Sequence, residues 1–101
     1  MIALVRVTLP DLAAAERVAG VLVAERLAAC ANLSPCRSTY RWQGQVEQAD
    51  EVSAEFKTTP DRVGALTARL TALHPYDVPA IEWWTAATTS AVETWVVSTV
   101  L

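Results

Sequence analysis

Histidine occurs once in this chain and cysteine twice, and that shortage of soft donors excludes several chemistries at once. A closed structural zinc site takes about four nitrogen or sulfur ligands. Cys30, Cys36 and His74 are too few to build one within a subunit. A nucleophilic triad needs a base beside the serine or cysteine, and His74 is the sole histidine to serve. It precedes a proline at an expected helix end, where a local hydrogen bond or simple exposure is the commoner role. The three glycines are scattered singly, so no glycine-rich loop cradles a phosphate. Basic residues are in deficit: the net charge is −3, against the basic face that a nucleic-acid binder carries. No apolar run approaches the roughly 18 residues that mark a membrane span. The opening Met1-Ile2-Ala3-Leu4-Val5-Arg6 lacks the basic region of a secretory signal. The expectation is a cytoplasmic protein with reduced thiols, no nucleic-acid partner and no membrane partner.

What the chain does have is apolar surface. Hydrophobic residues make up 52% and charged residues 19%, with four tryptophans in 101 residues. One domain, residues 1–101, is expected, with a core large enough to fold without staples. So small a domain has difficulty hiding this much apolar side chain, which points to a homo-oligomer.

The periodicity changes along the chain in a readable way. "MIALVRVTL" reads as a strand covered on most of both sides, with Ala3, Val5, Val7 and Leu9 on one face. Pro10 stops it, and Asp11 is placed to cap a helix whose stripe is Leu12, Ala15, Ala19, Leu22, Val23 and Leu27. From Cys30 the chain reads as extended, with a bulge or bend expected at Pro35. "WQGQV" reads as a tight hairpin turned at Gly44. On the return strand Val52, Ala54 and Phe56 alternate with Glu51, Ser53, Glu55 and Lys57. Thr59-Pro60 starts a second helix with the stripe Val63, Leu66, Leu70 and Leu73, and His74-Pro75 ends it. "PAIEWWTA" reads as a fourth strand. Thr88, Thr89 or Ser90 caps a last helix with Val92, Trp95, Val96 and Thr99 along one side. The order β-α-β-β-α-β plus a terminal helix is the split βαβ, ferredoxin-like arrangement: an α+β fold whose antiparallel sheet carries both main helices on one face.

Cys30 and Cys36 have four competing readings. "LAAC" matches a lipoprotein cleavage box, but Glu25-Arg26 and an amphipathic helix precede it. A disulfide between two positions of one extended stretch needs the chain to fold back. A closed zinc site lacks ligands. Small thiols packed at a helix-to-strand junction is the commonest fate of free cysteine, and soft-metal contact shared with another subunit is the remaining alternative.

Arg6, Glu51, Glu55 and Lys57 fall on the sheet face that the two main helices leave open, where a second subunit or a ligand would sit. RNA-recognition modules share this topology, but they stack bases on aromatic residues of that face. Here it is acidic and without an aromatic pair.

"TLPD" after the first strand, "AERLAACANL", "YRWQGQVEQADEV", "FKTT" and "LHPYDVP" stand in the order and spacing of the CutA family, the divalent-cation tolerance proteins. The resemblance runs from about Val5 through the last helix. It implies a compact cytoplasmic homotrimer of ferredoxin-like subunits, linked to copper and other divalent cations, with no enzymatic reaction and no obligatory cofactor. Cys30 matches the cysteine of "LAAC", and His74 and Tyr76 match "HPY"; both regions are candidates for metal contact or for lining a cleft between subunits. Val7 stands where some members carry a cysteine, and Ala80 where the family usually carries glutamate. Cys36 matches no motif position. The hairpin from Arg37 to Lys57 is longer than one four-stranded sheet uses, so its ends resemble edges that a neighbour extends. Trp42, Trp83 and Trp84 are the expected contact residues. A small-ligand-binding trimer with inter-subunit clefts lined by Tyr76, Glu55 and Lys57 is the alternative function.

Overall fold

The computed structural model describes residues 1–101. Its elements run β1 (Ile2–Leu9), α1 (Leu12–Ala24), β2 (Cys30–Trp42), β3 (Gln45–Thr58), a 3-10 turn (Pro60–Arg62), α2 (Val63–Leu73), β4 (Glu82–Ala86) and α3 (Ser90–Val100). The strands form one antiparallel sheet in the order β2-β3-β1-β4. This is the split βαβ arrangement: each helix crosses over to a strand that is not its immediate neighbour.

The alternation on β1 and β3 decides where the core lies. Val5, Val7 and Leu9 are buried, as are Ala54 and Phe56 opposite them on β3. They pack with Ala15, Val18 and Leu22 of α1 and Leu66 and Leu70 of α2 into the main cluster of 15 buried residues. Asp11 caps α1 as expected, its Oδ1 accepting from the Ala14 amide at 2.8 Å. The stripe of α1 differs from the expected one. Leu12 is 53% exposed and Val23 37%, while Ala14 and Val18 take the inward places. The helix ends before Arg26, whose positive φ of 61° lets the Leu27 and Ala28 amides return to the Leu22 carbonyl.

The small residues of "LAAC" fit this junction. Ala28 and Ala29 are buried, the Ala29 amide bonds the Lys57 carbonyl at 2.8 Å, and the Thr58 hydroxyl donates to the Leu27 carbonyl at 2.8 Å. Bulkier side chains would hold β2 away from β3 here.

Pro35 makes no bulge. The β2–β3 register is unbroken from Cys30↔Lys57 to Trp42↔Gln45. β2 is an edge strand, so the amide hydrogen that proline lacks falls on the free side and costs no ladder bond. The turn closes through Gln43 and Gly44, with φ of 51° and 80°, the two positive values of a type I′ hairpin.

β4 covers Glu82–Ala86 only, so "PAI" before it stays outside the sheet. α3, capped by Thr89, turns Val92, Val96 and Val100 inward rather than Trp95, which is 45% exposed. Those valines pack with Ile2, Leu4 and Ala86 on the face opposite α1 and α2. The face expected to be open is therefore half closed: α3 covers the end where β1 begins.

β1 pairs with β3 only from Val52 to Thr58. Residues 36–42 and 45–51 consequently pair with each other alone and project as a two-stranded ribbon. This ribbon stretches the molecule to 44 × 24 × 21 Å.

Candidate functional site

The loop from His74 to Ile81 leaves α2 at the far end of β1, where β4 no longer pairs with it. His74 anchors the loop. It is 8% exposed; its Nε2 lies 2.8 Å from the Thr8 carbonyl oxygen, and its Nδ1 accepts from the Tyr76 amide at 3.1 Å. With Nδ1 accepting, Nε2 carries the proton and donates to Thr8, so the ring is a neutral imidazole with both nitrogens engaged. The Tyr76 ring stacks on it at a tilt, centroids 4.8 Å apart. The Tyr76 hydroxyl then reaches past the end of β1 and donates to Glu51 Oε2 at 2.7 Å. Partial burial, followed by the hydrogen bond to the Glu51 carboxylate, pushes the Tyr76 phenol well above its ordinary range.

A cleft of about 790 Å³ lies between this loop and the ribbon. Its walls come from Thr8 of β1, from Tyr40, Trp42 and Glu51 of the ribbon, and from Tyr76 and Asp77 of the loop. Ala80 also lines it. Tyr40 and Trp42 alternate with Thr39 and Arg41 along β2 and share the sheet face of Ser38 and Glu51.

The structure brings some of the expected site residues together and leaves others apart. Tyr76 and Trp42 share the cleft, but Glu55 and Lys57 do not line it. They lie four and six residues further down β3 than Glu51, about 13 to 20 Å along the strand. Lys57 instead donates to Asn32 Oδ1 at 2.9 Å. Trp83 pairs with Val5 and Trp84 with Leu4, so the two indoles point to opposite faces of the β4 edge, 56% and 37% exposed. The Arg6 guanidinium lies 5.2 Å from the Trp84 ring centroid and ion-pairs with Glu82 at 2.9 Å.

Cys30 and His74 are not neighbours. Cys30 stands opposite Lys57 at the start of β2, whereas His74 holds Thr8, which stands opposite Ser53. Nowhere in the chain do three or more His, Cys, Asp or Glu side chains gather as a metal-ligating group. Within one chain the donors present do not make a divalent-metal site. Cys30 and Cys36 are free thiols on one strand, six residues apart. Val7, on the ligand-poor side of the resemblance, is 1% exposed within the main core.

Sequence reasoning placed Glu51 on the open sheet face but did not join it to Tyr76, and it did not find Tyr40 and Asp77 as cleft residues. The signal was the alternation on β2 and β3, which puts Tyr40, Trp42 and Glu51 on one face; the loop crossing that closes the cleft has no local signature.

Fold and site together define a ferredoxin-like α+β protein whose candidate site lies in a groove against an overlong central hairpin. Its residues 3–99 match the model of the CutA1 divalent ion tolerance protein family. The divalent-cation tolerance protein CutA of Pyrococcus horikoshii is 49% identical over 78 residues, 77% of this chain and 76% of that protein. The crystal structure of CutA from Xylella fastidiosa superposes with a TM-score of 0.95 at 40% identity, covering 98% of this chain and 97% of its own. The periplasmic divalent cation tolerance protein CutA of Archaeoglobus fulgidus gives 0.97 at 30% identity, with both chains covered in full. This chain belongs to the CutA family of divalent-cation tolerance proteins. No helix in it is long and apolar enough to cross a membrane.

Proposed function

We propose that the chain works in tolerance of divalent cations, copper among them, as a non-enzymatic cytoplasmic homotrimer. The observation that carries this is the projecting ribbon. Two strands with water on both faces are marginal on their own. This pair also exposes Tyr40 and Trp42, each 45%, and Val46, 61%, beside the free edge of β2. A second copy adding its edge to that ribbon would satisfy the unpaired backbone groups of β2 and cover Val46. His74, the sole histidine, has both ring nitrogens hydrogen-bonded to backbone groups, which fits a structural role for it in this reading. Metal contact in such an assembly is weak and centres on the Cys30 thiol, joined by ligands from another chain; His74 must first release Thr8 or the Tyr76 amide.

Light scattering tests the assembly. Three times the 10.9 kDa chain mass is expected, and a monomer at micromolar concentration overturns it. Copper titrations of the wild type and Cys30→Ala test the metal contact, with identical stoichiometry and affinity removing Cys30 from it. Fractionation of cells tests the compartment. A second reading is favoured by the cleft itself: a small ligand bound beside Tyr76, with no physiological metal.

A further inference from the structure

From the chemistry of the cleft we infer that it binds a small organic cation bearing N–H donors, an alkylammonium or guanidinium compound. This inference rests on the small-ligand reading and supplies the class of ligand.

Three aromatic rings, Tyr40, Trp42 and Tyr76, line a groove of about 790 Å³, a volume suited to a small molecule. Two carboxylates, Glu51 and Asp77, line the same groove. Neither belongs to any of the four ion pairs of the chain, which join Met1 to Glu93, Arg6 to Glu82, Arg37 to Asp50 and Arg69 to Glu25. Arg37, the one cation on the cleft wall, is held outward by Asp50 at 2.9 Å and by Gln48. Its charge is thus spent on the ribbon's other face. The cleft is left with unpaired negative charge between ring faces, and ring faces attract cations through their quadrupole.

The polar geometry narrows the class further. Tyr76 satisfies one lone pair of Glu51, leaving the remaining carboxylate sites as acceptors. The Tyr76 phenol stays protonated and acts as a donor to Glu51, so it fixes the carboxylate in place. Acceptors of this kind reward a ligand that donates hydrogen bonds, as an ammonium or guanidinium does. A quaternary ammonium would gain the rings and the charge attraction but no hydrogen bonds to the carboxylates, and an anion would meet repulsion from both.

The test is calorimetry on the wild-type protein in chelator-containing buffer, with butylamine, butane-1,4-diamine and butylguanidine as probes. Butanol and butyrate serve as neutral and anionic counterparts of the same length. Saturable binding of the nitrogen cations, weaker by about tenfold in Glu51→Gln and weaker again in Trp42→Ala, is the expected result. Glu51→Gln keeps an acceptor for Tyr76, and unchanged melting of that variant separates lost charge from lost fold. Butanol or butyrate binding as tightly as the amines overturns the cation class while leaving a ligand cleft. Silence from every probe overturns both, including the case in which a neighbouring chain fills the groove.

Discussion

Tyr76 donates its hydroxyl proton to Glu51 across the end of β1, tying the loop after α2 to the root of the projecting ribbon. Removing that bond in Tyr76→Phe leaves an exposed carboxylate free to hydrate. The expected cost is about 0.5–1.5 kcal/mol, read as a lowered midpoint in denaturant. The tyrosine ultraviolet band gives a sharper check. The chain has two tyrosines, and Tyr76 ionises above its normal range. A phenol whose folded pKa is raised contributes stability that is complete below about pH 10 and disappears as pH climbs toward the folded value. The wild type should therefore lose stability above pH 10 more steeply than Tyr76→Phe. Superimposable alkaline profiles would remove the special environment of Tyr76.

Two glycines should respond to alanine with opposite signs. Gly20 lies inside α1, exposed, with nothing near the position of an added Cβ. Gly20→Ala should gain about 0.5–1 kcal/mol from helix propensity alone. Gly44 has equal space but a φ of 80°, so Gly44→Ala should lose about 1–2 kcal/mol to backbone strain. Thermal melts of the pair decide this, and a shared sign would contradict the turn geometry.

His74 should prove structural before anything else. His74→Phe keeps the ring and its packing but strands the Thr8 carbonyl and the Tyr76 amide. A loss of about 1–3 kcal/mol is expected. Hydrogen exchange localises it: the Tyr76 amide should be protected in the wild type and fast in the variant. Equal exchange in both would show that His74 does not hold the loop.

Phe56 fills the centre of the main core with no exposure. Phe56→Ala should cost about 3–5 kcal/mol by urea denaturation. A cost near 1 kcal/mol would mean that the sheet and α1 collapse together over the gap.

The architecture was largely legible because its strands carry strong alternation. Val52, Ala54 and Phe56 against Ser53, Glu55 and Lys57 leave one register for β3, and the structure adopts it. Weaker signals misled in understandable ways. α1 buries Ala14 and Val18 while Leu12 and Val23 stay outside, because its inward face centres on Ala15, Val18 and Leu22 and leaves Leu12 and Val23 on its flank. Pro35 looked like an interruption because a sequence does not reveal which strand lies at the edge. α3 is apolar on several sides, so its choice of Val96 and Val100 over Trp95 depends on a tertiary partner, Ile2, from the other end of the chain. The candidate site was only half readable for a similar reason. Tyr76, Trp42 and His74 stood out by residue type, whereas Glu51 and Asp77 come to line one groove through a loop crossing.

The ribbon of 36–42 and 45–51 is a cantilever, clamped at its root by β1 and Tyr76 and loose at the Trp42 tip. In an arm clamped at one end, bending grows toward the free end, so any bending would change the width of the groove most where the indole sits. Gripping the tip by any means would stiffen the whole arm and set the width of the groove at its base. Under the assembly and ligand readings proposed above, association at the tip and occupancy near Tyr76 would be mechanically coupled.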